Sequence, residues 1–171
     1  IETILYLNDT FKTNIVINKV DLSFLGSIKL KEIEIKDHHL DSLINVRSLT
    51  TSIFSYKEIL QNRLEFDDIY LEGVNFIIKT YEGDDDSAFS IFTDKFDDEN
   101  EDDSPSDFLL TSTVIHLVST NLIIYDENVI GEKAVTFKNI KGDIYNFKIL
   151  GPNIYGNIKE LNFVENHGIE V

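Results

Sequence analysis

Hydrophobic and polar residues alternate along most of this chain, and the alternation breaks the same way each time. In residues 28–35, Ile-Lys-Leu-Lys-Glu-Ile-Glu-Ile, the apolar positions are Ile28, Leu30, Ile33 and Ile35, with charge between them. Spacing by two marks a strand with one dry and one wet face. The step of three in the middle reverses the parity. An inserted residue of the β-bulge kind would return the apolar set to a single face. The same offsets recur at Ile15, Ile17, Val20 and Leu22, and at Leu64, Phe66, Ile69 and Leu71. They return at Ile115, Leu117, Thr120 and Leu122, and at Val135, Phe137, Ile140 and Gly142. Ile158, Leu161 and Phe163 keep the second half. One strand type is reused, which predicts a mainly β protein: an elongated, curved, open antiparallel sheet with one long apolar face.

Taken in order, residues 1–7 (IETILYL) fit a short helix or a first strand, with Asn8-Asp9-Thr10 as a turn or cap. Residues 14–24 and 28–37 read as a hairpin about Gly26-Ser27. A polar connection, residues 37–42, leads to a strand over 43–54. Ser55 and Glu58 form a capping-box pattern that predicts about two helical turns ending near Asn62. Residues 63–81 read as a second hairpin turning near Glu72-Gly73. Phe89, Phe92 and Phe96 recur at helical spacing and predict a short amphipathic helix over 87–96. Strands follow over 108–126, 134–149 and 154–165, with a turn signal at Gly151-Pro152-Asn153.

Charge changes this picture in one place. The formal net charge is −16, and residues 82–107 hold twelve of the thirty-one acids against one base, Lys95. The 82–107 stretch therefore reads as an acidic insertion, the helix of 87–96 followed by a mobile solvated loop over 97–107. Such a surface disfavours nucleic acid and anionic lipid headgroups as partners. The acidic run lacks the Asp-x-Asp-x-Asp-Gly ligand spacing of a calcium loop. The chain has no cysteine, so thiolate metal sites, disulfides and a Cys nucleophile are excluded. An Ile at position 1 and a strand-like ending lead us to expect a single segment, residues 1–171, of a longer protein.

Candidate chemistry is sparse. His38 and His39, flanked by Asp37 and Asp41, read as a solvated turn rather than a metal site, because neighbouring residues of a strand point to opposite faces. His116 and His167 have no partner visible in the sequence. Neither a Ser-His-Asp set nor a Gly-rich phosphate loop can be placed. The reading is therefore of a non-enzymatic protein without cofactor or metal.

The stretch from Ile15 to Gly83, IVINKVDLSFLGSIKLKEIEIKDHHLDSLINVRSLTTSIFSYKEILQNRLEFDDIYLEGVNFIIKTYEG, resembles the amino-terminal periplasmic region of the TamB (translocation and assembly module) family within the AsmA-like group. The segments Asp37-His38-His39-Leu40-Asp41-Ser42-Leu43, Phe92-Thr93-Asp94-Lys95-Phe96 and Phe147-Lys148-Ile149-Leu150-Gly151-Pro152 carry the likeness further along. The length and acidity of residues 97–107 depart from it. The resemblance implies a gutter-shaped sheet with a concave apolar face. It also implies a periplasmic location in a Gram-negative bacterium, with the parent chain anchored in the inner membrane. Phospholipid transport between the membranes, outer-membrane protein assembly and a barrel partner in the outer membrane follow as expectations. The rest of the parent chain would extend the sheet. On that reading phospholipid acyl chains meet Ile15, Ile17, Val20, Leu22, Ile28, Leu30, Ile33, Ile35, Leu64, Phe66, Ile69, Leu71, Phe76, Ile78, Leu122 and Ile124. The competing reading is a closed all-β binding or adhesion module whose apolar stripe is an ordinary core.

Overall fold

A computed structural model describes residues 2–22, 27–53, 63–97, 108–131 and 133–165. The helix expected over 55–62, the turn at Gly26, His167 and most of the loop expected over 97–107 lie outside the described residues. Seven strands form one open sheet in sequence order. They are β1 (Asn14–Leu22), β2 (Ser27–Lys36), β3 (Ser42–Ile53), β4 (Arg63–Thr80), β5 (Leu109–Asp126), β6 (Val135–Leu150) and β7 (Asn153–Glu165). Among the described residues two helices accompany them, α1 (Glu2–Phe11) and α2 (Ala88–Asp94).

The expectation of a wholly antiparallel sheet is corrected at one pairing. β4 and β5 run parallel, and the other five pairings are antiparallel. The cause is that residues 63–80 form one strand and not a hairpin. Gly73 takes φ +68 inside the strand, and the chain runs straight on. Val74 then pairs with Val46 and Phe76 with Ile44. Two long parallel strands need a crossover. Here β4 ends at Thr80 and β5 begins at Leu109 at the other end of the sheet, with α2 between them in sequence.

The step of three lines up between β1 and β2, whereas Phe66–Ile69 in β4 falls at a register shift against β3 and Phe137–Ile140 in β6 lies one row away. Ile17 pairs with Ile33 and Lys19 with Lys31, so β1 and β2 break parity together and no residue is left over. This corrects the expectation of an inserted residue at that point. Neighbouring strands share one crease, and Glu32, Gly73 and Ser119 cross it with φ of 53°, 68° and 55°. In the β4–β5 pair the register holds a constant offset of 46 from Arg63↔Leu109 to Thr80↔Asp126. Leu64, Phe66, Ile69, Leu71, Phe76 and Ile78 therefore stand beside Leu110, Ser112, Ile115, Leu117, Leu122 and Ile124.

True bulges occur elsewhere. Between Thr51 and Ile53 the register against β4 shifts, so Asp67 and Asp68 sit in an irregular stretch. Their carbonyls are satisfied from both sides: Ser112 Oγ donates to Asp67 O at 2.7 Å and Thr51 Oγ1 donates to Asp68 O at 3.0 Å. Two polar residues in otherwise apolar rows thus keep a kinked strand hydrogen-bonded.

The amino-terminal segment resolves as helix. Ile4, Leu7 and Phe11 fall on one helical face, and Lys12 ends the helix in the left-handed region at φ 52. The turn expected at Asn8-Asp9-Thr10 is instead its last turn. Asn8 ties the helix to β1, accepting from Ile15 N and Thr13 Oγ1 and donating to Ile15 O, each at 2.9 Å. α2 forms within the stretch expected, with Ser87 as its cap accepting from Ser90 N at 3.1 Å.

Candidate functional site

Four rows of side chains run across β1 to β6 on one face. The first joins Leu22, Ile28, Thr51, Ile69, Ile115 and Ile144. The second joins Val20, Leu30, Leu49, Leu71, Leu117 and Gly142. The third passes through Ile17, Ile33, Val46 and Val74 to Thr120 and Ile140, and the fourth through Ile15, Ile35, Ile44, Phe76, Leu122 and Phe137. No charged residue falls in these rows, and only Thr51, Thr120 and Gly142 interrupt the apolar side chains. Gly142 has a steric reason: at φ +152 a Cβ there would collide with the carbonyl oxygen of Glu160 on β7.

The sheet is concave on this face. Ile33, Val46 and Val74 are buried in a cluster completed by Ile17, Leu30, Ile35, Ile44, Leu49, Leu71 and Phe76, all of them sheet residues. These ten side chains come from β1 to β4 and pack on one another, as on the inner face of a curled sheet. A second measure agrees. Phe11 precedes β1 and Phe108 precedes β5, at opposite ends of the strands, which would lie roughly 40 Å apart in a flat sheet at about 3.3 Å per residue. Their rings lie 5.6 Å apart.

Helices fill the corner where the curled ends meet. Ala88, Phe92 and Phe96 are buried with Leu43, Tyr81 and Phe108, and Leu7, Phe11, Phe89, Ile35, Phe76, Leu64 and Ile149 pack around them. Phe96 stacks on Phe108 at 4.7 Å, and Phe89 meets Phe76 edge-on at 4.8 Å. The remainder of the face is a trough that opens toward its margins. Ile69 is 4% exposed in the middle of the first row, whereas Leu22 at one end is 69% exposed and Ile158, beyond Ile144 on β7, is 58% exposed.

Twelve of the sixteen residues expected to line a groove fall in these four rows; Leu64, Phe66, Ile78 and Ile124 lie beyond them on β4 and β5. Ile35, Leu64 and Phe76 are packed under the helices. Ile17, Leu30, Ile33 and Leu71 belong to the sheet-only cluster, and Ile28 and Ile69 are buried in the outermost row. Ile15, Phe66, Ile78 and Leu122 are half-buried, and Val20, Leu22 and Ile124 are exposed. The helix plug was only partly legible: the phenylalanine spacing of α2 announces a cap, but nothing local marks Phe108 as its stacking partner.

The opposite face is polar and laddered. Asp21 bonds Lys31 at 2.9 Å, and that hydrogen bond holds its carboxyl below the usual range. Asn121 donates to Asn75 at 2.8 Å. His116, for which the sequence offered no partner, stacks on Tyr70 at 4.4 Å and bonds Asp143 at 2.8 Å.

A second constellation sits where the β2–β3 turn meets the β4–α2 loop. Tyr81 Oη lies 2.7 Å from Asp37 Oδ2 and 2.8 Å from Asp41 Oδ2. Burial first, then these two carboxylates, push its ionisation far above the ordinary tyrosine value. Lys79 lies over the Tyr81 ring at 3.8 Å and bonds Glu127 at 2.7 Å. Desolvation alone would lower the lysine, but its hydrogen bonds to Glu127 and Tyr125 outweigh it and raise it. The argument that His38 and His39 point apart does not apply, because they occupy a turn and not a strand. Their rings are 4.4 Å apart and both approach Asp84.

Neither a protein-family model nor a curated relative matches this chain.

Proposed function

We propose that this chain is a segment of a TamB-like envelope protein whose trough shields phospholipid acyl chains as they pass between membranes. The observation that carries the reading is the curled single sheet with four charge-free rows, half-buried within and open at its margins. Such a surface offers apolar contact to a long flexible chain without enclosing it. Keeping a methylene out of water is worth about 0.8 kcal/mol, so a chain of some fifteen methylenes gains ~12 kcal/mol from a dry path. The polar outer ladders keep the other face in water.

The family resemblance supplies the setting of this proposal. The parent protein is held in the inner membrane, the trough runs through the periplasm, and a barrel protein of the outer membrane is the partner at the far end. Sheet edges at β1 and β7 are where the rest of the parent chain would continue the trough. The segment acts without catalysis, as a conduit or assembly scaffold.

Mass spectrometry of lipid co-purified with the chain tests the reading. Stoichiometric phospholipid is expected, and Leu30→Asp with Leu71→Asp should remove it while the sheet remains folded by circular dichroism. Absence of lipid from the folded unaltered chain, reloaded from phospholipid vesicles, would instead favour the closed binding-module reading.

A further inference from the structure

The β2–β3 turn and the β4–α2 loop bring one donor atom each of His38, His39 and Asp84 within 4.8 Å of one another. We propose that these side chains bind one zinc-class divalent ion, which staples the turn to the loop. The proposal stands apart from the lipid reading and uses none of the trough residues.

Both segments are built to hold the donors. Asp37 Oδ1 accepts from His39 N at 2.9 Å and from Asp41 N at 3.0 Å, and Asp37 N donates to Asp41 O at 2.9 Å. This closes the turn and sends two consecutive imidazoles to the same side. On the other segment, Asp84 N donates to Tyr81 O at 3.0 Å, and Asn128 Nδ2 donates to Asp84 O at 3.1 Å. Gly83 N donates to Asn128 Oδ1 at 2.8 Å. The Tyr81 ring packs against His39 with centroids 4.0 Å apart.

The donor distances suit a small ion. A tetrahedral centre with bonds of about 2.0–2.1 Å needs its donors roughly 3.3 Å apart. Asp84 Oδ2 is 2.8 Å from His38 Nε2 and 3.8 Å from His39 Nε2, one below and one above that spacing. The two histidine donors lie within 4.8 Å of each other, so side-chain rotation would bring all three onto one centre with a fourth position for water. Two imidazoles select zinc and its transition-metal neighbours over calcium or magnesium, which take oxygen donors.

Local charge points the same way. Asp37 and Asp41 share the single phenolic hydrogen of Tyr81, so one of two close carboxylates lacks it. Asp85, Asp86 and Glu82 adjoin in sequence, and the nearby Lys79 is engaged by Glu127. A cation beside the histidines relieves that surplus.

The test titrates metal-free protein with zinc chloride, followed by calorimetry and thermal unfolding. We expect one equivalent bound at micromolar Kd or tighter, with Tm raised by about 5–10 °C at a hundredfold excess over Kd. His39→Ala and Asp84→Asn should each weaken binding at least about tenfold, the factor that even outer-shell changes carry. Changing Asp98, Glu99, Glu101, Asp102 and Asp103 to Ser should leave it intact. Cobalt(II) on the unaltered chain gives an independent readout: the strong visible bands of a four-coordinate site are expected. Zinc binding indifferent to His39 and Asp84, loss of it with the acidic run, absence of saturable binding, or only the weak bands of six-coordinate cobalt would each overturn the proposal.

Discussion

Tyr81 concentrates much of the chemistry of this molecule in one hydroxyl. Its neutral form is kept by burial and by two carboxylates, so its folded value lies above the ordinary 10.0. The sign follows directly. Below pH 10 the phenol is neutral in both folded and unfolded chains, and its contribution to stability is complete. As pH rises past 10 the unfolded chain ionises first, and that stability is lost. Urea unfolding across pH 9–11 should show stability falling, with a shallower fall in Tyr81→Phe; equal slopes would show that another group is responsible. Thr120 offers the opposite case. Its Oγ1 is buried without a hydrogen-bond partner among the described residues, in a row of aliphatic side chains. Thr120→Val should raise the unfolding free energy by about 1 kcal/mol. Gly142→Ala should lower it by about 1–3 kcal/mol, since φ +152 and the Glu160 carbonyl both reject a Cβ. Neither Thr120 nor Gly142 breaks the apolar pattern strongly enough to announce its role. Each reads only as a weak member of its strand's offset set.

Strands were legible as elements and their joins were not. The offset set located β1, β2, β5, β6 and β7 within a few residues, because alternation depends only on which face each residue meets. The hairpin expected at Glu72-Gly73 failed for a physical reason. A glycine with positive φ serves a turn and a crease equally, and only the partner strand decides between them. The deciding signal was present: Leu71 to Val74 is the same step of three that β1, β2 and β5 make at the crease. Parallel pairing of β4 and β5 then follows from the length of β4, a non-local fact that no window reveals. At this scale α2 is the element to test. Phe92 is buried among Phe96, Phe108, Leu43 and Ala88. Phe92→Ala should cost about 3 kcal/mol in thermal or urea unfolding. A change below ~1 kcal/mol would mean that the helix merely rests on the sheet.

For the whole molecule, curvature is the property that matters and the one least visible in sequence. The pattern gives one apolar face but not whether a second layer covers it. Here the sheet is open and not closed, and among the described residues α1 and α2 pack on part of the apolar face. Leu30 and Lys29 are adjacent on β2 and belong to opposite faces, which makes them a matched pair for the decisive measurement. A photo-crosslinking residue is placed at each position in turn in the chain incubated with phospholipid vesicles, and captured lipid is read by mass spectrometry. Capture of phospholipid at position 30 with little at position 29 is the result this account predicts. Equal capture at both, or capture only at position 29, would contradict it.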